Sequence, residues 1–144
     1  MSSIDKQHLA TIFAMVLLTF LVFLVLAIRR IGGAMRGEYP SDYFKVLRSK
    51  TDFIPPVKTE QAARNLINLF EVPVLFYVLV LILIWTQKTD QWSLWLCWIF
   101  VISRYAHSLN HIGPNKVKLR FLAYLIGVLV LYATWFRLAV QLLS

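Results

Sequence analysis

The stretch Gln61 to Val80, QAARNLINLFEVPVLFYVLV, opens polar and turns into a long apolar run. Arg64, Asn68 and Glu71 are set into it at positions i, i+4 and i+7, a spacing that predicts one shared helix face. Few folds accept such a segment. With 59% hydrophobic residues in 144, the chain is too apolar for a soluble domain of its size, and several of its runs are long enough to span a bilayer. Ionisable groups carried into a membrane are costly, so their default reading is a functional site.

The chain reads as a single domain, 1–144, of an all-α integral membrane protein: a bundle of four transmembrane helices at about residues 9–28, 61–85, 91–111 and 117–143. Arg29 and Arg30 are expected to stop the first span, which is too long for a signal-peptide core. The loop 29–60 carries Gly32, Gly33, Gly37, Pro40, Pro55 and Pro56, with Tyr39, Tyr43, Phe44 and Phe53 among Arg36, Lys45, Arg48, Lys50 and Lys58. Such a loop is expected to lie along lipid headgroups. Pro73 removes the hydrogen bond to the Leu69 carbonyl, which predicts a kink just beyond Glu71. Short turns at 86–90 and 112–116 make the last three spans antiparallel. The lone Cys97 allows no intrachain disulfide and reads as a packing residue.

A formal charge of +8 suggests nucleic acid at first sight, but the cations sit in loops between apolar runs, so no nucleic-acid partner is expected. Ten Lys and Arg flank the first and last loops, against Lys6 and Lys88 on the other side. That asymmetry places the basic loops in the cytoplasm and both termini on the non-cytoplasmic side. Trp85, Trp92, Trp95 and Trp135 fall near the opposite span ends, as an aromatic belt would.

Helical rise brings three polar groups to the cytoplasmic half. Arg64, Asn68 and Glu71 lie on the second span. Arg104, His107 and His111 (i, i+3, i+7) lie on the third, and Arg120 with Tyr124 (i, i+4) in the first turns of the fourth. Two helix N-termini add positive potential there. The site should prefer an anion with several carboxylates, leaving Glu71 to hold an amine or to pair with Arg104. The plainer readings are a snorkelling Arg64, a structural Glu71–Arg104 pair and an inert interfacial His111. Two histidines with no cysteine or carboxylate pattern beside them imply no metal.

These residues resemble the MAPEG family, membrane-associated proteins in eicosanoid and glutathione metabolism. The family's second-helix pattern appears as Arg64, Asn68 and Glu71, and its third-helix Arg-x-x-His as Arg104 and His107. Arg120 follows His107 by thirteen residues, where the family's catalytic arginine is expected, with Tyr124 four later. The resemblance implies a homotrimer in the lipid bilayer with glutathione as cosubstrate, bound between protomers near the cytoplasmic face. Arginines match its carboxylates, Glu71 its ammonium and Asn68 its peptide groups. Arg104, His107, His111 and one of Arg29 and Arg30 complete the binding set. A free thiol ionises near ~8.5, and a guanidinium favours the thiolate, so Arg120 is the expected activator with Tyr124 as hydrogen-bond partner.

Phe121 and His111 stand where eicosanoid-converting members carry a hydroxyl residue and a tyrosine, which points away from prostaglandin or leukotriene synthesis. The N-x-x-E-x-P form, with Pro73, is similar to bacterial members and implies a bacterial inner membrane. The expected activity is a glutathione-dependent transferase or peroxidase acting on small lipophilic electrophiles or hydroperoxides. The alternatives are a non-catalytic lipid-binding or scaffold member of the same family, and a proton pathway through Glu71, His107 and His111.

Overall fold

The computed structural model describes residues 1–40, 43–46 and 53–143, so Arg48 and Lys50 of the first loop lie outside the described residues. Among the described residues all regular structure is helical: α1 (Ser3–Met35), α2 (Tyr43–Val46), α3 (Val57–Leu69), α4 (Val72–Trp85), α5 (Gln91–Ile112) and α6 (Val117–Leu143). Helix α1, the α3–α4 pair and α6 are long and apolar enough to cross a membrane. Helix α5 has 22 residues, but Arg104, His107 and His111 dilute its apolar content. Helix α1 runs past Arg29 and Arg30 to Met35. The arginines end the apolar run and not the helix, because Arg is a good helix former.

The second long helix is interrupted between Leu69 and Val72. Phe70 closes α3 with its N–H on the Ile67 carbonyl, and Glu71 has φ −94° and ψ −96°, away from helical values. Pro73 sits in the first turn of α4, where its missing N–H has no helical partner to lose. The break therefore falls at Glu71 itself rather than beyond it.

The most extensive helix pair is α5 with α6, and α1 packs on both α3 and α5. Met15 and Leu18 of α1, Phe76 and Leu79 of α4, Phe100 of α5 and Leu131 of α6 form the apolar core, with Cys97 buried in it. Phe76 stacks on Phe100 at 4.5 Å. Phe13, Phe20, Ile102, Leu129 and Phe136 point outward and exposed, the pattern of helices whose solvent is lipid.

Both chain termini lie at one end of the bundle, which is closed by matched polar pairs. Thr89 donates to Asp5 at 2.7 Å, Asp90 and Ser93 form a capping box on α5, and Arg137 pairs with Asp90. Buried His8 bridges the Ile4 carbonyl, at 2.9 Å, and Ser93 Oγ, at 3.0 Å. At the opposite, loop end Arg29 donates to the carbonyls of Lys58 and Ile112. Tyr39 gathers Tyr43, Phe44 and Phe53 around its ring there, with centroids 5.0 to 5.7 Å away. Glu38 beside it accepts from Arg36 at 2.6 Å, which holds its carboxyl below the usual carboxylate range.

Arg104 locks α5 to α6. Its side chain is fully buried, and Nη2 donates to the Tyr124 carbonyl at 2.8 Å. The guanidinium lies 4.8 Å from the Tyr124 ring centroid and 5.5 Å from that of Phe100. Gly127 makes the room. A Cβ there would stand 2.7 Å from Arg104 Nη2 and collide with Ser103 Oγ. Gly127→Ala is expected to destabilise the protein by about 1–3 kcal/mol through this overpacking, measured as a lowered unfolding midpoint in detergent. An unchanged midpoint would mean that α5 and α6 are not held at this point.

Candidate functional site

The turn from α5 to α6 sets the far wall of the site. Asn110 caps it from within, donating to the Lys116 carbonyl at 2.8 Å and accepting from its N–H. Asn115 takes φ 50°, a left-handed conformation that asparagine tolerates better than most residues. Its carboxamide oxygen then accepts from Arg120 Nη1 at 2.7 Å. Arg120 is thus oriented at the first turn of α6, and its backbone carbonyl accepts from His107 Nδ1 at 3.0 Å. A carbonyl can only accept, so this bond fixes the proton of a neutral His107 ring on Nδ1.

Helix α3 supplies the near wall. Arg64 and Asn68 lie one turn apart and line a cavity of about 310 Å³ with Ile67, His111 and Arg120. Arg64 is exposed and paired through Nε to Glu60 at 2.8 Å, one turn earlier on the same helix. A second cavity of about 320 Å³ shares Arg64, His111 and Arg120 with the first. It adds Ile54 and Pro55 from the segment before α3, Val57, Glu60 and Gln61 of α3, and Asn115.

Between these walls lies a buried polar layer. Ser108 donates to Asn65 Oδ1 at 3.2 Å. The rings of His107 and His111 meet edge to face at 5.5 Å, and Tyr124 stands 5.7 Å from His107. Asn65 Nδ2, Arg104 Nε, His107 Nε2 and His111 Nδ1 are buried without a hydrogen-bond partner among the described residues.

Of the residues expected from the sequence, the structure brings together Arg64, Asn68, His111 and Arg120 around one cavity. His107 and Tyr124 stand directly behind that wall. Arg104 faces the α6 backbone and lines neither cavity. Arg29 is engaged by two carbonyls, whereas Arg30 keeps a buried Nε without a partner among the described residues. The expectation that Glu71 shares a face with Arg64 and Asn68 is corrected. The helix breaks between them, and Glu71 lies exposed in the break, outside the cavity.

Sequence reasoning missed Glu60, Asn65, Ser108 and Asn115. Glu60 carried a signal, being one turn ahead of Arg64, and so did Asn115, directly after Gly113-Pro114. Asn65 and Ser108 are 43 residues apart and reveal themselves only once α3 and α5 are packed. Among the described residues no group of three or more His, Cys, Asp or Glu is placed to hold a metal ion.

The arrangement is a cationic cavity at one end of a helical bundle, with the Glu60 carboxylate nearby, His111 in its wall and His107 behind it. It suits a polyanionic small molecule that also carries an amine. The model of the MAPEG family matches residues 8–140 of the chain, while no curated protein and no solved structure matches it. That match covers nearly the whole chain and agrees with its long apolar helices, so the chain is an integral membrane protein belonging to the MAPEG family.

Proposed function

We propose that this protein is a glutathione-dependent membrane transferase or peroxidase acting on lipophilic electrophiles or hydroperoxides. One observation carries the reading: Arg64, Asn68, His111 and Arg120, from three different helices, converge on a single cavity. Glutathione offers two carboxylates, an ammonium, two peptide groups and a thiol. Arg64 takes one carboxylate by exchanging its exposed pair with Glu60, a weak competitor at such exposure. Glu60 is then free for the ammonium. Asn68 serves a peptide group, and Arg30 is a better choice than Arg29 for the second carboxylate because Arg29 is already engaged.

Arg120 faces the sulfur. Asn115 holds Nη1, which leaves the rest of the guanidinium to stabilise a thiolate. In conjugation the thiolate forms the carbon–sulfur bond, and the leaving group departs with its electron pair. With a hydroperoxide, attack on the terminal oxygen releases the alcohol, and a second glutathione converts the resulting sulfenic acid to disulfide and water. Tyr124 and His107 back this wall and keep Arg120 in register.

The wider reading is a homotrimer in a bacterial inner membrane, with basic loops in the cytoplasm and both termini outside. It gives Glu71 a use, since an exposed carboxylate beside a helix break is available to the site of a neighbouring protomer. A second reading, a non-catalytic lipid-binding member, is favoured by the apolar groove of about 480 Å³ between α1 and the α3–α4 break, lined by Phe20, Phe23, Leu66 and Phe70.

Three measurements test this. Adding glutathione to the detergent-solubilised protein should produce thiolate absorbance near neutral pH. In Arg120→Ala the midpoint of thiolate formation should climb back toward ~8.5; no thiolate signal in the wild type would favour the non-catalytic reading. Arg64→Ala should weaken glutathione binding by roughly ten- to a hundredfold, the worth of a hydrogen-bonded charge, as read by calorimetry. The protein mass measured in detergent should be three times the 16.7 kDa of one chain, and a monomer would remove the trimer.

A further inference from the structure

Arg120 is held by a turn that is tightly closed on itself. The Asn110 carbonyl accepts from the Asn115 N–H at 2.7 Å, and the Asn110 side chain grips Lys116 through both its N–H and its carbonyl. Pro114 restricts the backbone just ahead. These bonds hold Asn115 at φ 50°, and from there its side chain reaches Arg120 Nη1 at 2.7 Å. A guanidinium can only donate, so the carboxamide presents its oxygen to Arg120 and its NH2 away from it. Both residues line the second cavity, so their bond borders that space. The backbone alone does not explain the choice of residue. Glycine and aspartate also tolerate the left-handed region, and aspartate would grip a guanidinium more strongly through a charge-assisted bond. What separates asparagine is charge. A carboxylate here would neutralise Arg120, whereas an amide oxygen fixes the group and leaves its charge whole. The other charged or titratable groups around it are Arg64 and Glu60 of α3, His107 and His111 of α5, and Tyr124 on its own helix. Glu60 is paired with Arg64, and among the described residues no carboxylate pairs with Arg120.

We propose that Asn115 is a positioning residue for Arg120 that sets the acidity of the bound thiol: it fixes the guanidinium with a neutral acceptor and so leaves a full positive charge to the sulfur. The inference rests on the glutathione reading given above. Asn115 acts through Arg120 alone, by the geometry it imposes and by the charge it withholds. The tight turn then has a use beyond joining two helices, since it supplies the fixed point from which the guanidinium is aimed before any ligand arrives.

The test is the pH dependence of thiolate absorbance at saturating glutathione, measured in one detergent on the wild type, Asn115→Gly and Asn115→Asp. Asn115→Gly keeps the left-handed turn and removes the acceptor. Asn115→Asp keeps both turn and acceptor and adds a charge. In Asn115→Asp the midpoint of thiolate formation should rise by about one unit or more, the low end of what an added charge at hydrogen-bond distance causes. In Asn115→Gly it should rise by roughly half as much, because the guanidinium is loosened but keeps its charge. An asparagine that served only the turn would leave the midpoint of both variants at the wild-type value, and that result overturns the proposal. A midpoint raised in Asn115→Asp but unmoved in Asn115→Gly also overturns it, because the amide would then not be what holds Arg120. Should Asn115→Asp fail to fold, as read by its unfolding midpoint, Asn115→Gly decides alone. A wild type without thiolate absorbance removes the glutathione reading itself, a result distinct from a wild-type thiolate that neither variant disturbs.

Discussion

A guanidinium buried among apolar helices must find acceptors, and Arg104 finds them on the backbone of α6. That bond fixes the register of α5 against α6. One turn further along, the same register brings His107 to the carbonyl of Arg120. A further turn places His111 on the cavity wall beside the Arg120 side chain. The candidate site is therefore set by a contact that does not belong to it. Gly127 is the condition for all of this, because only a residue without a Cβ leaves space for the arginine to lie against α6.

The helices were legible where apolar runs end at turn-forming residues. Helix α6 spans the predicted 117–143, and α5 ends within one residue of its predicted boundary. Helix α1 extends beyond the apolar run at both ends, because Arg continues a helix readily. At the site, spacing puts Arg64 and Asn68 on one helix face, and helical rise puts them at the depth of His111 and Arg120. The same arithmetic failed for Glu71 because a helical projection holds only while the helix is continuous, and Pro73 ends it. The direction taken by Arg104 was hidden for a different reason. Carboxylate and backbone carbonyl compete for a buried guanidinium, and only packing decides between them.

The two ends of the bundle differ in how their polar groups are satisfied. At the terminal end His8, Ser93, Asp5, Thr89, Asp90 and Arg137 are matched in pairs, and that end is a closure. At the loop end Asn65 Nδ2, His107 Nε2, His111 Nδ1, Arg30 Nε and Tyr39 Oη have no partner among the described residues, and toward the terminal end Trp135 Nε1 has none.

The interruption at Glu71 also changes the distance that matters to a membrane. Helix α4 has 14 residues, or about 21 Å of rise, against a hydrocarbon core of about 30 Å. The difference, about one third of the core, is crossed by the last turns of α3, where Asn65, Asn68 and the cavity stand. Polar side chains of α3 thus stand within the length that an unbroken apolar helix would cover, and the continuous apolar stretch of this span is confined to α4.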